Sequence, residues 1–372
     1  METPATSTQN YVSAPAVRKG HYYFSRIPMT QKIFFLDHLR VMMGAGLSVV
    51  EALRILKKEI EHKELREMVE DVTHDVEQGQ DLSAALEKHP RAFDSMYIKM
   101  IAAGEVAGRL EESLTQMVSQ MKRSHEIAAN IKSAMMYPLV VISAMGLIGI
   151  MMAVFVLPKL VSLFKDFGST LPLPTRILIK ISDILGNPIY LVLILGSLAG
   201  MVALHIWAMK TYPLYKQRIH SFLLQLPIAG FVLKQINLAR FSLTLSSLLR
   251  STIPIIDATR ITAETCGNVL YQNALIAAAH DMKEGKPLSD ILHQHPKLFP
   301  PMVTEMILVG EKTGEVEQLL AELSDFYSSE VDHTMKNFTT IIEPVIIILL
   351  GIAVAGVALA IIMPMYSLVE QF

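Results

Sequence analysis

Apolar positions along this chain fall into two regimes. In the first, residues 133–158, 184–209 and 344–369 hold no Asp, Glu, Lys or Arg and are apolar on every side of a helix. Each stretch is about 25 residues long, and a helix crossing a bilayer needs about 20. In the second regime, apolar residues recur at helical spacing between charged ones. Residues 31–43 place Ile33, Phe34, Leu36, Leu39, Val41 and Met42 in a helix that Gly44-Ala45-Gly46 ends. Ser48 with Glu51 three positions later predicts a capping box opening the next helix. Leu65, Met68, Val69, Val72 and Val76 line one face of a helix over 63–78, stopped by Gly79. A short helix over 82–88 ends before Pro90, and another over 96–103 ends in the turn Gly104-Glu105-Val106-Ala107-Gly108. The last begins at Arg109, with Leu110, Leu114, Met117, Val118 and Met121 in register. It meets no stop before Tyr137-Pro138 and is expected to run straight into the first apolar span. Strand-like alternation is not evident.

The chain then repeats itself at an offset of 206 residues. The run from His74 to Gly108 aligns without a gap on the run from His280 to Gly314. His89/His295, Pro90/Pro296, Phe93/Phe299, Gly104/Gly310, Glu105/Glu311 and Gly108/Gly314 are shared, and Pro138 maps onto Pro344. Two like-oriented copies, each ending in a span, need one more crossing between them, which matches three spans and parallel repeats. The expected fold is an all-α membrane protein: two duplicated cytoplasmic helical-bundle domains, about six helices each, plus three transmembrane helices. The expected order is a disordered tail at 1–29, domain 1 at 30–132, spans at 133–158, 184–209 and 343–369, an external loop at 159–183, a cytoplasmic linker at 210–237 and domain 2 at 238–342. The tail is rich in Ser, Thr, Pro and Ala and lacks the apolar run of a signal peptide. Lys122, Arg123, Lys132, Lys210, Lys216, Arg218 and Lys336 flank one side of the spans, against Lys159, Lys165, Arg176 and Lys180 on the other. The excess favours an N-terminus inside the cell.

Composition narrows the chemistry. Charged residues are 18% of the chain and mean hydropathy is +0.38, as a membrane protein requires. A net charge of −2 argues against a general nucleic-acid binder. Cys266 is the only cysteine, which excludes an intramolecular disulfide and a multi-cysteine metal cluster. Gly310-Glu311-Lys312-Thr313 lacks the glycine spacing of a phosphate loop and puts a carboxylate where phosphate would bind. Glu59/His62 and Glu330/His333 have the spacing of di-metal pairs, but they are not equivalent under the repeat and sit among charged neighbours. The histidines paired by the repeat (His74/His280 and His89/His295) lack converging donors; His89 and His295 are expected to satisfy backbone groups at a helix end. No enzyme, cofactor or metal is therefore expected. Gly104 and Gly310 suit close helix approach, Gly108 and Gly314 a left-handed cap, and Glu105 and Glu311 are expected to bond amides at the next helix start. Glu343 and Pro344 are expected to open the third span as a first helical turn, with Pro138 at the matching entry of the first. Gly196/Gly200, Gly351/Ala355 and Gly356/Ala360 place small residues one turn apart within spans, where helices can approach closely. A rival reading is an oligomeric transporter or channel with parallel repeats, although His205 is the only ionisable side chain within a span.

At these residues the chain resembles a family, the inner-membrane platform proteins of type II secretion systems and type IV pili. The resemblance rests on the Gly-x-x-Leu-x-x-x-Leu-x-x-x-Pro-x-x-Phe runs, Gly79 to Phe93 and Gly285 to Phe299, and on the paired Gly-Glu-x-x-Gly turns. Pro158, Phe164, Phe167-Gly168, Leu171-Pro172, Thr175 and Glu343-Pro344 match the same pattern. Family members often carry an Arg-Gln pair in the first helix of each copy. Here Asp37-His38-Leu39-Arg40 and Leu243-Thr244-Leu245-Ser246 stand there instead. The resemblance implies a non-enzymatic platform in the inner membrane, coupling a hexameric assembly ATPase to pilin or pseudopilin polymerisation and protein secretion. It implies homo-oligomers and contacts with other inner-membrane assembly proteins and lipid; the two Gly-Glu-x-x-Gly turns are read first as structural and, as the alternative, as surfaces facing the ATPase.

Overall fold

The computed structural model describes residues 27–156, 186–227 and 229–369, with the single positions 158, 176, 180, 183 and 184. Nearly all of the expected tail and of the external loop lies outside the described residues. The first copy supplies six helices: α1 (Met29–Gly44), α2 (Val49–Glu59), α3 (Lys63–Glu77), α4 (Leu82–Glu87), α5 (Ser95–Val106) and α6 (Leu110–Met151). A π-helical turn, Met152–Val156, continues α6. Then come α7 (Pro188–Thr211) and α8 (Pro213–Gln225). The second copy supplies α9 (Ala229–Arg250), α10 (Ile255–Thr265), α11 (Val269–Asp281), α12 (Leu288–His293), α13 (Pro301–Thr313) and α14 (Val316–Val369), with a 3₁₀ turn at Met282–Glu284. Among the described residues there is no strand. The all-α fold with two helical copies and three apolar helices is as expected.

Local chemistry explains the boundaries. The capping box forms as read: Ser48 Oγ accepts from the Glu51 N–H at 3.3 Å, and Glu51 accepts from the Ser48 N–H at 3.0 Å. The Ser48 hydroxyl, donating to the Glu51 carboxylate at 2.7 Å, and then the Ser48 N–H hold that carboxyl below its usual range. Pro188 and Pro213 each occupy a first helical turn, where a missing N–H costs nothing.

The helices gather into two compact units that divide at Asp94/Ser95, inside the first copy. In the first unit, Phe35, Leu39, Leu53, Leu56, Leu65, Val69, Val72 and Phe93 are buried. Arg54 to Glu77 and Lys57 to Glu70, both 2.7 Å, tie α2 to α3 on the outside. In the second unit, α9 is the central helix, packed by α14, α10, α8 and α6. Phe241, Phe299 and Tyr271 form an edge-to-face cluster with centroids 5.3 Å apart, and the Tyr271 hydroxyl donates to the Leu298 carbonyl at 2.8 Å. Burial raises the pKa of that phenol and pushes the Cys266 thiol up to about 12. Phe35 and Phe93, the counterparts of Phe241 and Phe299, also pair, at 6.3 Å.

Among the described residues three helices are long and apolar enough to cross a membrane: α6, α7 from Val192, and α14. Their apolar stretches expose side chains such as Leu147, Val192 and Ile352 that nothing among the described residues covers. The bent pair α8 and α9, with 108° between its helices, is long and apolar enough only when its two helices are taken together. Yet residues 241–248 of α9 are all buried inside protein, so that helix is core.

Candidate functional site

The two Gly-Glu-x-x-Gly turns are elbows at the feet of the membrane stems. Gly108 and Gly314 adopt φ of +66° and +80°. This lets the Arg109 N–H reach the Gly104 carbonyl at 2.8 Å and the Glu315 N–H reach the Gly310 carbonyl at 3.0 Å, closing each helix end. Gly104 and Gly310 are the crossing points. A Cβ on Gly310 would stand 2.7 Å from Val316 Cα, and one on Gly104 would collide with the Ser113 side chain. Only glycine lets α5 cross α6, and α13 cross α14, at this distance. The tips face outward: Val106 is 92% exposed, and Lys312, Thr313 and Gly314 are exposed.

Glu311 does not serve the following helix, as its position suggested. Its carboxylate reaches back to α12, accepting from the Leu288 N–H at 2.6 Å, the Ser289 N–H at 3.3 Å and the Ser289 hydroxyl. Charge at those free amides caps α12, whose preceding residue, Pro287, makes no side-chain cap. Glu105 is half-buried on α5. The stretch Gly310–Thr313 is the last turn of α13, so its amides belong to a helix rather than to a phosphate-holding loop.

Pro138, Glu343 and Pro344 also sit differently from expectation. Pro138 lies inside α6, and α14 runs unbroken through Glu343 and Pro344. Neither proline opens a helix, and Glu343 is far from a helix N-terminus, so no dipole stabilises it. Each stem and its span form one continuous helix, of 42 residues in α6 and 54 in α14. Residues of the other candidate sites have partners within the protein. His62 Nδ1 accepts from the Leu65 N–H at 3.4 Å, and Glu330 accepts from Gln235 at 3.2 Å. At His89 and His295 the backbone carbonyl, not the ring, takes the amides of residues three and four ahead. No metal-binding trio of His, Cys, Asp or Glu occurs among the described residues. A methyl group at Gly196, Gly200, Gly351 or Gly356 would meet no described atom, so among the described residues these small residues make no close helix crossing.

A polar seam joining α6 of the first copy to α9 and α14 of the second carries no sequence signal. Buried Gln120 on α6 donates to Thr244 at 3.2 Å and accepts from Ser247 at 2.9 Å. Below it Arg123 pairs with Asp325, and Asn130 donates to Asp332 at 2.7 Å. Spacing cannot show partners 124 to 202 positions away along the chain.

Comparison with known proteins bears on this duplicated arrangement. The family model described as "Type II secretion system (T2SS), protein F" matches twice, at residues 35–158 and 241–364. Those two matches stand at the same offset as the internal repeat. The chain belongs to this family. A type IV pilus assembly protein PilC of Thermus thermophilus is 35% identical over 99% of this chain and 88% of its own length. Another of that name from Myxococcus xanthus is 34% identical over 90% of this chain and 80% of its own. A type II secretion system protein F of Vibrio cholerae is 30% identical over 98% of this chain and 89% of its own. Family membership thus spans both elbows, both stems and the paired prolines.

Proposed function

We propose that this chain is the platform of a type IV pilus or type II secretion machine. In this reading it passes the motion of a hexameric assembly ATPase to pilin or pseudopilin subunits leaving the bilayer. Relatives named for pilus assembly and for type II secretion support the role. The observation that carries the coupling is the continuity of α6 and α14 from folded domain into apolar span. Each helix continues past its interior proline, Pro138 or Pro344, which removes one backbone hydrogen bond without ending the helix, so displacement at the elbow reaches the membrane-embedded end. The exposed tips, Val106 to Gly108 and Lys312 to Gly314, are the surfaces offered to the ATPase. The chain performs no chemistry itself and works as a homo-oligomer in the inner membrane, with both helical domains in the cytoplasm.

Inserting Gly-Gly-Ser-Gly between Lys132 and Ser133 tests the coupling, because it softens α6 where the stem meets the span. The expected result is normal protein level and ATPase co-purification with loss of pili or of secretion. Full assembly by the hinged variant would overturn the stem mechanism. At the elbow, Glu105→Lys is expected to stop assembly at unchanged protein level. A fall in protein level alone would make that turn structural.

A further inference from the structure

One residue, Tyr212, separates the apolar helix α7 from α8. Charge here has a single sign: no Asp or Glu occurs over residues 184–256, which hold Lys210, Lys216, Arg218, Lys234, Arg240 and Arg250. The inner face of α8 is committed to the second unit. Leu224 is buried, His220 Nδ1 accepts from the Val269 N–H at 2.9 Å, and the His220 carbonyl accepts from Asn268 at 3.3 Å. Among the described residues the outer face is uncovered except at Tyr215, whose hydroxyl and ring meet His205 of α7. Leu214 (75% exposed), Tyr215, Arg218 and Phe222 (59% exposed) follow a spacing that gathers them within about 100° of the helix circumference. Phe231, at the start of α9, is exposed as well. Trp207 and Tyr212, at the end of the span, stack edge to face at 5.5 Å.

Water is a poor partner for such a face, and a bilayer surface a good one. Trp and Tyr concentrate at the headgroup level. Helices lying in that plane bury their apolar side at the acyl boundary while their cations meet anionic lipid. We infer that α8 is an interfacial helix. Leu214, Tyr215 and Phe222 enter the leaflet on the side of the helical domains, and Lys210, Lys216 and Arg218 hold anionic phospholipid headgroups. The inference rests on α7 crossing the membrane. Through the His220–Val269 hydrogen bond it also fixes the height of the second unit against the bilayer.

The test uses the full chain, one copy per nanodisc, with Cys266→Ala and a single environment-sensitive fluorophore on a new cysteine. Leu214→Cys and Phe222→Cys probe the face; Val106→Cys is the exposed control and Leu193→Cys the control within α7. Nanodiscs contain phosphatidylglycerol or phosphatidylcholine, each with a shallow nitroxide lipid as quencher. The expected result is that labels at 214 and 222 are quenched at least about twofold more than at 106, and more in phosphatidylglycerol. Weakened quenching in Lys216→Glu/Arg218→Glu would support the headgroup contact. Labels at 214 and 222 as wet as at 106 would overturn the inference. So would a blue-shifted label without lipid quenching, which means protein covers the face, or equal quenching in both lipids. Failure of the label at 193 to quench would instead overturn the membrane reading of α7.

Discussion

Helices α1 and α9 hold equivalent places in the repeat, with Phe35 on Phe241 and Leu39 on Leu245, yet their surroundings are opposite. In α1, Asp37, His38 and Arg40 are only half-buried and Val41 is exposed. In α9, eight consecutive residues from Phe241 are buried, among them Ser242, Thr244, Ser246 and Ser247. His38 and Arg40 of one copy are thus replaced by Thr244 and Ser246 in the other, and Asp37 by Leu243. The physical reason lies in what each residue can satisfy locally. Ser246 donates to its own helix at the Leu243 carbonyl, 3.1 Å away, and Thr244 and Ser247 bond Gln120. A charge there would be buried away from water. Small side chains also allow α14 to lie close, at the cost of the Ser242, Ser324 and Ser328 hydroxyls, which have no partner among the described residues.

The comparison breaks most sharply at Arg40 and its counterpart Ser246. Ser246→Arg buries an unpaired charge and is expected to cost about 3–5 kcal/mol, enough to lose folded protein. A melting temperature equal to the parent's would mean α9 is not core. Gln120→Leu removes both Gln120 bonds of the seam, leaving the buried Ser247 hydroxyl without its acceptor while Thr244 still accepts from Thr265, and is expected to cost about 2 kcal/mol in chemical denaturation. Glu311→Ala uncaps α12 and is expected to cost about 1–2 kcal/mol, read as faster amide exchange at Leu288 and Ser289.

A smaller effect follows from His220. Burial lowers its pKa first, and Lys216 adds to the effect. A base with a depressed folded-state pKa binds fewer protons folded than unfolded. Its contribution is therefore present above the ordinary value of 6.5 and fades as pH falls below it. His89, lowered by burial, acts in the same direction in the first unit. His220→Asn keeps an acceptor for the Val269 N–H but cannot titrate. It is expected to flatten part of the stability loss between about pH 6.5 and 5, measured by thermal melts across that range. The smallest effect is expected for Arg40→Ser. It breaks the partly exposed 2.8 Å pair with Asp37, and a change of about 0.5 kcal/mol or less should result.

What the chain discloses of itself follows from interaction range. Periodicity, the Ser48 box and the left-handed glycines are short-range, and the six helices per copy were legible from them. The stem-to-span continuity of α6 was legible too, because no stop precedes Pro138. For α14 the Glu343-Pro344 pair resembles a helix start, and only its embedding within a longer helix shows otherwise. The Gln120 seam, the reach of Glu311 back to α12 and the burial of α9 join residues far apart in the chain. None of them leaves a local pattern. The division of units inside the first copy is likewise invisible to the repeat.

The central claim is that this chain is a platform between an assembly ATPase and pilin-like subunits. Its most direct test is affinity purification of the tagged chain from its own cells in mild detergent, with mass spectrometry of what accompanies it. The account predicts a hexameric assembly ATPase and a prepilin-like protein. Absence of both, with the purified chain moving a solute across liposomes, would contradict it and establish a transporter instead.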